Sequence, residues 1–127
     1  MPIVSVSLNQ RILHDIDTLQ EEMGFSGRSE TIRAAIRMLL ADKGEKDDLK
    51  GTIDASLFVI HDEKASDKVS TIRHDYQDLI KTQVHKHLEN QKCLEIFVIR
   101  GDAKRIKSMT NAFQIHKNLD YVKLFVS

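Results

Sequence analysis

The sequence predicts an α+β protein in which a small strand–helix–helix module, residues 1–44, precedes a βαββαβ domain, residues 53–127. Two observations predict the first module: a short run in which apolar residues alternate with other residues, and two apolar stripes at helical spacing directly after it. One observation predicts the second: four strand-like runs and two helical patterns follow in the split βαβ order. The charged, glycine-flanked residues 45–52 between them are predicted to be a linker.

The run "PIVSVSL", residues 2–8, predicts a strand with two unlike faces. Val4, Val6 and Leu8 form one face, and Ile3, Ser5 and Ser7 form the other. Because a lone strand leaves its backbone groups unpaired, we expect it to pair with its own copy in a second chain. This pairing predicts an intertwined homodimer.

Two helices are predicted after this strand. Asn9 is suited to cap the first helix and Gly24 to end it. Ser26 or Gly27 is suited to cap the second, which is predicted to end before Gly44. The apolar stripes are Ile12, Leu13, Ile16, Leu19 and Met23, then Ile32, Ala35, Ile36, Leu39 and Leu40.

The second domain is predicted from the order of its patterns. In chain order these are the strand "IDASLFVI", a helix through Val69, Ile72 and Tyr76, the hairpin "LIKTQVHKHL" and "CLEIFVIRG", a helix with Ile106, Met109 and Phe113, and the strand "YVKLFV". Asp102 is predicted to cap the last helix. The expected result is a four-stranded sheet with two helices on one face.

The hairpin carries a candidate metal site. Side chains two positions apart on a strand share a face, so His85 and His87 are predicted to project together. If the turn is centred on Asn90, His87 lies opposite Cys93. Two imidazoles and a thiolate suit Ni, Cu, Zn and Co. His74, from this chain or a neighbour, could supply a fourth donor.

The same register places Glu95 opposite His85, where it could accept and orient an imidazole N–H. The alternative is a polar hairpin with an exposed carboxylate at Glu95 and a buried, inert Cys93. His14, His61 and His116 are interpreted as solvated or structural.

Composition excludes some classes of protein. The 19 Lys and Arg residues balance 19 Asp and Glu residues, so net charge indicates no particular partner. The apolar runs are too short to cross a bilayer and the N-terminus lacks a signal-peptide pattern, so we expect a cytoplasmic protein without membrane association. One cysteine cannot form an internal disulfide.

With both parts laid out, the chain resembles the nickel-responsive repressors of the NikR type over essentially its whole length. "GFSGRSETIRAAIR" is similar to the turn and second helix of a ribbon-helix-helix DNA-binding domain. "HKHLENQKCLEI" followed by "RGD" is similar to the family's metal-binding βαββαβ domain, of the ferredoxin-like or ACT type.

The resemblance implies one Ni(II) per chain in a square-planar site. Its ligands would be His85, His87 and Cys93, with His74 from another subunit, in a homotetramer joined through the C-terminal domains. Cu(II), Co(II) and Zn(II) are the other candidate metals. The chain departs from the family at Ile3, where the ribbon often carries an arginine.

In a ribbon-helix-helix dimer the paired strands enter the major groove of double-stranded DNA. The residues expected to face base edges are Ile3, Ser5 and Ser7, and those expected to face phosphates at the start of the second helix are Gly27, Arg28 and Ser29.

The sequence thus predicts a metal-responsive transcriptional regulator, a nickel-dependent repressor of a palindromic operator, and not an enzyme. Three alternatives stay open: a metal-independent ribbon-helix-helix repressor whose C-terminal domain senses a small ligand, a regulator of this fold that responds to Cu, Co or Zn, and a zinc enzyme. The last is disfavoured because no general base lies in a motif with the ligands.

Overall fold

The computed structural model describes residues 1–127, which separate into two units, Met1–Asp47 and Asp48–Ser127. No helix of the chain combines the length and the apolarity that crossing a membrane would require.

The first helix of the N-terminal unit, α1, spans Gln10–Met23. The Asn9 side-chain oxygen accepts a hydrogen bond from the Ile12 N–H at 2.8 Å, which satisfies one of the unpaired donors of the first turn. Gly24 ends the helix in the left-handed region, with φ 76°, where a residue without Cβ is unstrained. Both predicted ends are confirmed.

The second helix, α2, spans Arg28–Asp47, so the predicted end before Gly44 is wrong. Glycine weakens a helix by only about 1 kcal/mol, and two ion pairs at i,i+4 spacing lie across this last part of α2. They join Lys43 to Asp47 at 2.5 Å and Lys46 to Asp42 at 3.0 Å. The first three residues predicted as linker, 45–47, are therefore helical.

The strand predicted at residues 2–8 is absent from the single chain, where residues 1–9 form neither helix nor strand. The reason is physical: the rest of this unit is helical, so no second strand is available to pair with it. The side chains of Ile3 and Val6 are 96% and 72% exposed.

The C-terminal unit has the element order βαββαβ. Its elements are β1 (Thr52–Asp62), a short 3-10 turn (Glu63–Ala65), α3 (Ser66–Asp75), β2 (Ile80–His87), β3 (Lys92–Asp102), α4 (Ala103–Gln114) and β4 (Leu119–Val126). The strands form one sheet in the order β2-β3-β1-β4, and every neighbouring pair is antiparallel.

The core of this unit lies between one face of the sheet and the two helices. Alternate residues of β3 are buried, which is the period expected of a strand with one covered face. Phe97 of β3 stacks on Phe113 of α4 with ring centroids 5.6 Å apart, and both side chains are fully buried. The predicted helix stripe Ile106, Met109 and Phe113 belongs to this core. Asp102 occupies the N-cap position of α4, as predicted, but its side chain makes no capping hydrogen bond.

Candidate metal centre

The β2–β3 hairpin sets the register of the candidate ligands. Its turn places Asn90 and Gln91 at φ 60°, and the Leu88 N–H closes it by donating to the Lys92 carbonyl at 2.8 Å. His87 lies opposite Cys93. The register predicted from a turn centred on Asn90 is confirmed.

Three candidate ligands converge on one face of the hairpin. The donor atoms of His85, His87 and Cys93 all lie within 4.8 Å of one another. The two imidazole rings are 4.8 Å apart and nearly perpendicular, at 83°. Cys93 is buried while both histidines are exposed, so an ion could enter from the histidine side and reach a thiolate at the floor.

Glu95 fixes the orientation of His85. The carboxylate is 3% exposed and accepts the His85 Nδ1–H, with nitrogen–oxygen distances of 2.7 and 2.5 Å. Gln83 Nε2 donates to the same carboxylate at 3.3 Å. Because Nδ1 carries the proton, Nε2 of His85 keeps its lone pair for a metal. The predicted position of Glu95 opposite His85 is confirmed, and the alternative of an exposed carboxylate is wrong.

His87 brings the other ring nitrogen, Nδ1, close to the Cys93 sulfur. Nδ1 lies 3.6 Å from the Cys93 sulfur, a separation that lets both atoms bind one ion. Oε1 of Glu63 lies 3.7 Å from the same nitrogen, so a carboxylate stands beside the site without belonging to the cluster of three donors.

The electrostatics around Cys93 favour a cation. Burial raises the pKa of the Cys93 thiol, and the negative charges of Glu63, Glu95 and Asp62 raise it further. The metal-free thiol therefore resists ionisation until a cation offsets the surrounding charge. Binding of a late divalent transition metal would displace the thiol proton, and the nitrogen and sulfur donor set fits such a metal.

His74 does not join the three donors within one chain. It lies near the end of α3 and lines a separate open groove of about 740 Å³ along α3 and β2, together with Ile80 and Gln83. The single chain thus offers three of the four predicted ligands.

The sequence interpretation missed the position of His61, although it allowed a structural role. His61 is 1% exposed and lies opposite Cys93 on the other neighbouring strand, β1. Its side chain therefore faces the same side of the sheet as the ligands. The available signal was its spacing of two residues from Val59 and four from Leu57, both fully buried.

The residues predicted to contact DNA lie in the N-terminal unit. Ile3, Ser5 and Ser7 are exposed in the segment before α1, and Arg28 and Ser29 are exposed at the start of α2, directly after Gly27. The Arg28 guanidinium donates to both oxygens of Asp17, at 2.8 and 3.1 Å. In the single chain, the Asp17 carboxylate therefore pairs with the same guanidinium that is proposed to contact a phosphate.

Comparison with known proteins covers both units. The family described as "NikR C terminal nickel binding domain" matches residues 55–127, and the family described as "Ribbon-helix-helix protein, copG family" matches residues 3–43. The second match begins at residue 3, so it covers all but the first residue of the segment 2–8 that is predicted to form the ribbon.

Similar proteins of comparable length are known from several organisms. A protein of Methanocaldococcus jannaschii is 38% identical, with 99% of this chain and 92% of the relative covered. One of Methanococcus vannielii is 35% identical with the same coverage, and one of Methanococcoides burtonii is 36% identical over 95% of this chain and 89% of the relative. All three carry the name "Putative nickel-responsive regulator".

A solved structure supports the fold alone. An uncharacterised protein of Thermotoga maritima superposes with a TM-score of 0.56 at 15% identity, covering 60% of this chain and 98% of that protein.

Proposed function

The chain belongs to the NikR family of nickel-responsive transcriptional regulators, and from that premise we propose that bound nickel switches on its binding to a palindromic operator, as a repressor. In this proposal His85, His87 and Cys93 hold one Ni(II) per chain, and His74 of a second chain supplies the fourth donor.

The observation that carries the proposal is the three-donor cluster with a fixed imidazole tautomer. Glu95 accepts the His85 Nδ1–H, so this histidine presents Nε2, while His87 presents Nδ1 beside the Cys93 sulfur. An imidazole that is already oriented loses less freedom when an ion binds. Ni(II) is an ion that such a set of nitrogen and sulfur donors would hold.

The fourth donor would couple metal binding to assembly. His74 stands outside the cluster in one chain, so a site completed by His74 of another chain would fix α3 of one subunit against the hairpin of another. We propose a homotetramer through the C-terminal domains in which this link restrains the relative positions of the DNA-binding modules. The free energy of that restraint is the bias that nickel gives to DNA binding.

The N-terminal modules would pair through the segment at residues 2–8. The antiparallel ribbon would then present Ile3, Ser5 and Ser7 to base edges, while the start of α2 at Gly27, Arg28 and Ser29 would contact phosphate. Release of Arg28 from Asp17 is part of this step, since the guanidinium is paired with that carboxylate in the single chain.

The test is operator binding with defined metals. Full-length protein stripped by a chelator is titrated against DNA from upstream of its own gene at fixed salt, then again with Ni, Cu, Co or Zn. We expect tight binding with Ni(II) and weak binding without metal. Binding that is unchanged after chelation would overturn the proposal and favour a metal-independent repressor; tighter binding with another metal would reassign the effector.

A variant pair isolates the site. Cys93→Ala should abolish nickel-dependent DNA binding, because it removes the only thiolate donor. His116→Ala is the matched control, since His116 lies outside the three-donor cluster and its substitution should leave the nickel response unchanged. A Cys93→Ala protein that responds to nickel like the wild type would refute the assignment of this site.

A further inference from the structure

A second polar feature lies beside the candidate metal centre, between α3 and the sheet. It is a cavity of about 210 Å³, far larger than one water molecule requires. Its lining consists of His61, Ser66, Val69, Ser70, Arg73, His85 and Glu95. The cavity therefore joins a buried histidine on β1 to a candidate metal ligand and to the carboxylate that orients that ligand.

The hydrogen bonding of His61 determines which nitrogen faces this cavity with a lone pair. Nδ1 lies 2.8 Å from the Asp62 carbonyl oxygen, and because a carbonyl can only accept, Nδ1 must carry the proton. Neutral His61 then has an unprotonated Nε2. This atom is buried and has no hydrogen-bond partner in the protein, a state that costs free energy unless a donor reaches it.

The group that faces this lone pair is also an acceptor. Oε2 of Glu95 lies 3.8 Å from Nε2 of His61, and the carboxylate already accepts the N–H of His85. A gap of 3.8 Å is too long for a direct hydrogen bond, but two hydrogen bonds of about 2.8 Å that meet at one oxygen can span it. A donor with two protons would satisfy both acceptors.

Charge favours a neutral occupant over a cation. The guanidinium of Arg73 lines the same cavity as the Glu95 carboxylate, so one positive and one negative side chain already balance there. Ser66 and Ser70 are exposed residues of α3 at the rim, which gives solvent a polar path inward.

We propose that one water molecule in this cavity donates to both His61 Nε2 and Glu95 Oε2, so that His61 is a positioning residue for the metal ligand His85. The Asp62 carbonyl orients His61, the water links His61 to Glu95, and Glu95 orients His85. The link to nickel rests on the proposed function, whereas the position of the water does not.

The first test compares two substitutions of His61 in the full-length protein. His61→Leu removes the acceptor, and nickel affinity, measured by competition with a chelator, should fall about tenfold, the lower end of what loss of an outer partner costs. His61→Gln keeps a polar group in the same place and should stay within about threefold of wild type. Val59→Ala, a buried change on the same face of β1, is the control for lost packing and should leave nickel affinity unchanged.

The second test asks whether His61 acts through Glu95. In a Glu95→Leu background, which removes the shared acceptor at similar volume, His61→Leu should lower nickel affinity no further, although the losses in melting temperature should add. A structural role alone would reduce affinity equally in both backgrounds. Equal reductions, or a His61→Leu protein with wild-type affinity, would overturn the inference.

The third test separates this inference from the proposed function. A high-resolution crystal structure of the metal-free protein should show a water within about 2.6–3.2 Å of both atoms, and its absence would refute the bridge. If wild-type protein binds no nickel while the water is present, the proposed function fails and the bridge stands. If nickel binds and the His61 variants bind it equally well, the positioning role fails and the proposed function stands.

Discussion

The two units of the chain differ in how much of their apolar surface a single chain can bury. The C-terminal unit encloses a core with Leu57, Val59, Phe97 and Ile106 at 0% exposure. In the N-terminal unit only Thr31 is buried. The C-terminal unit is folded around its own buried core. The N-terminal unit consists of two helices and the segment before them, and it buries almost no side chain within one chain.

Most of the exposed apolar residues of the N-terminal unit belong to the strand face and the helix stripes that the sequence predicts: Val4, Val6, Leu8, Ile12, Leu19, Met23, Ile32, Ile36, Leu39 and Leu40. Met1, Ile3 and Met38 are exposed as well. So many exposed apolar residues in one small unit indicate an interaction surface. The contrast supports the proposed homodimer, in which a second copy completes what one chain begins, and places the candidate metal centre on the unit that needs no such completion for its core.

The largest effect is expected in the self-contained core. Phe97→Ala should destabilise the C-terminal unit by about 3–5 kcal/mol, because it removes a fully buried ring stacked on Phe113. Urea unfolding of the full-length protein measures the loss. Phe125→Ala, which truncates a ring that is 48% exposed on β4, is the control and should cost less; equal losses would contradict the description of the core.

A smaller effect is expected in the N-terminal unit, which we propose to pair with a second copy. Val6→Asp should weaken pairing of residues 1–47 by about 2 kcal/mol per chain, since Val6 would lose its burial in the ribbon and a carboxylate would take its place. Amide hydrogen exchange should show lower protection of α1 and α2, and operator affinity should fall. Nickel affinity should match that of wild type. Unchanged protection would show that these helices need no partner strand, whereas Val6→Ile should preserve it.

A still smaller effect is expected from a local cap. Asn9→Ala should destabilise α1 by about 1 kcal/mol, because the Ile12 N–H loses its side-chain acceptor. Hydrogen exchange at the start of α1 reports it, and Asn9→Ser, which retains a capping oxygen, should restore most of the protection. An alanine variant with wild-type exchange would mean that the cap contributes little in the assembled protein.

The smallest effect is expected in how the stability of the N-terminal unit depends on acid pH. Hydrogen bonds from Arg28 lower the pKa of Asp17 below its usual value, so the pair stabilises the N-terminal unit above about pH 4 and loses that contribution as pH falls through the folded-state pKa. Asp17→Asn should flatten the acid dependence of exchange in α1 and α2. The pair is exposed and the effect is therefore modest; an equally steep dependence in the variant would assign it to other carboxylates.

The sequence predicted those parts of the structure that local patterns determine. The cap at Asn9, the stop at Gly24 and the pairing of His87 with Cys93 all follow from residue type and strand periodicity, and the structure confirms them. The continuation of α2 past Gly44 was not predicted, because two i,i+4 ion pairs accompany a helix that the apolar pattern no longer marks.

Other features depend on contacts between distant segments. The burial of Glu95 and His61 requires α3 to cover the sheet, and polarity alone places such residues outside. The strand at residues 2–8 was predicted from alternation, yet it does not form in one chain, because the rest of its unit is helical and offers no strand to pair with. The proposed role of His74 likewise cannot be judged from one chain, since the three donors that one chain brings together do not include it.

The pairing of β2 with β3 makes the candidate centre depend on the alignment of the two strands. Directly opposed residues share a face of the sheet, so a one-residue slip that placed Cys93 opposite Lys86 would send the histidines and the sulfur to opposite sides. Every donor would remain in the sequence, and neither histidine could share an ion with the thiolate. The capacity to bind metal is thus encoded in which residues pair across the hairpin as much as in which residues the strands carry.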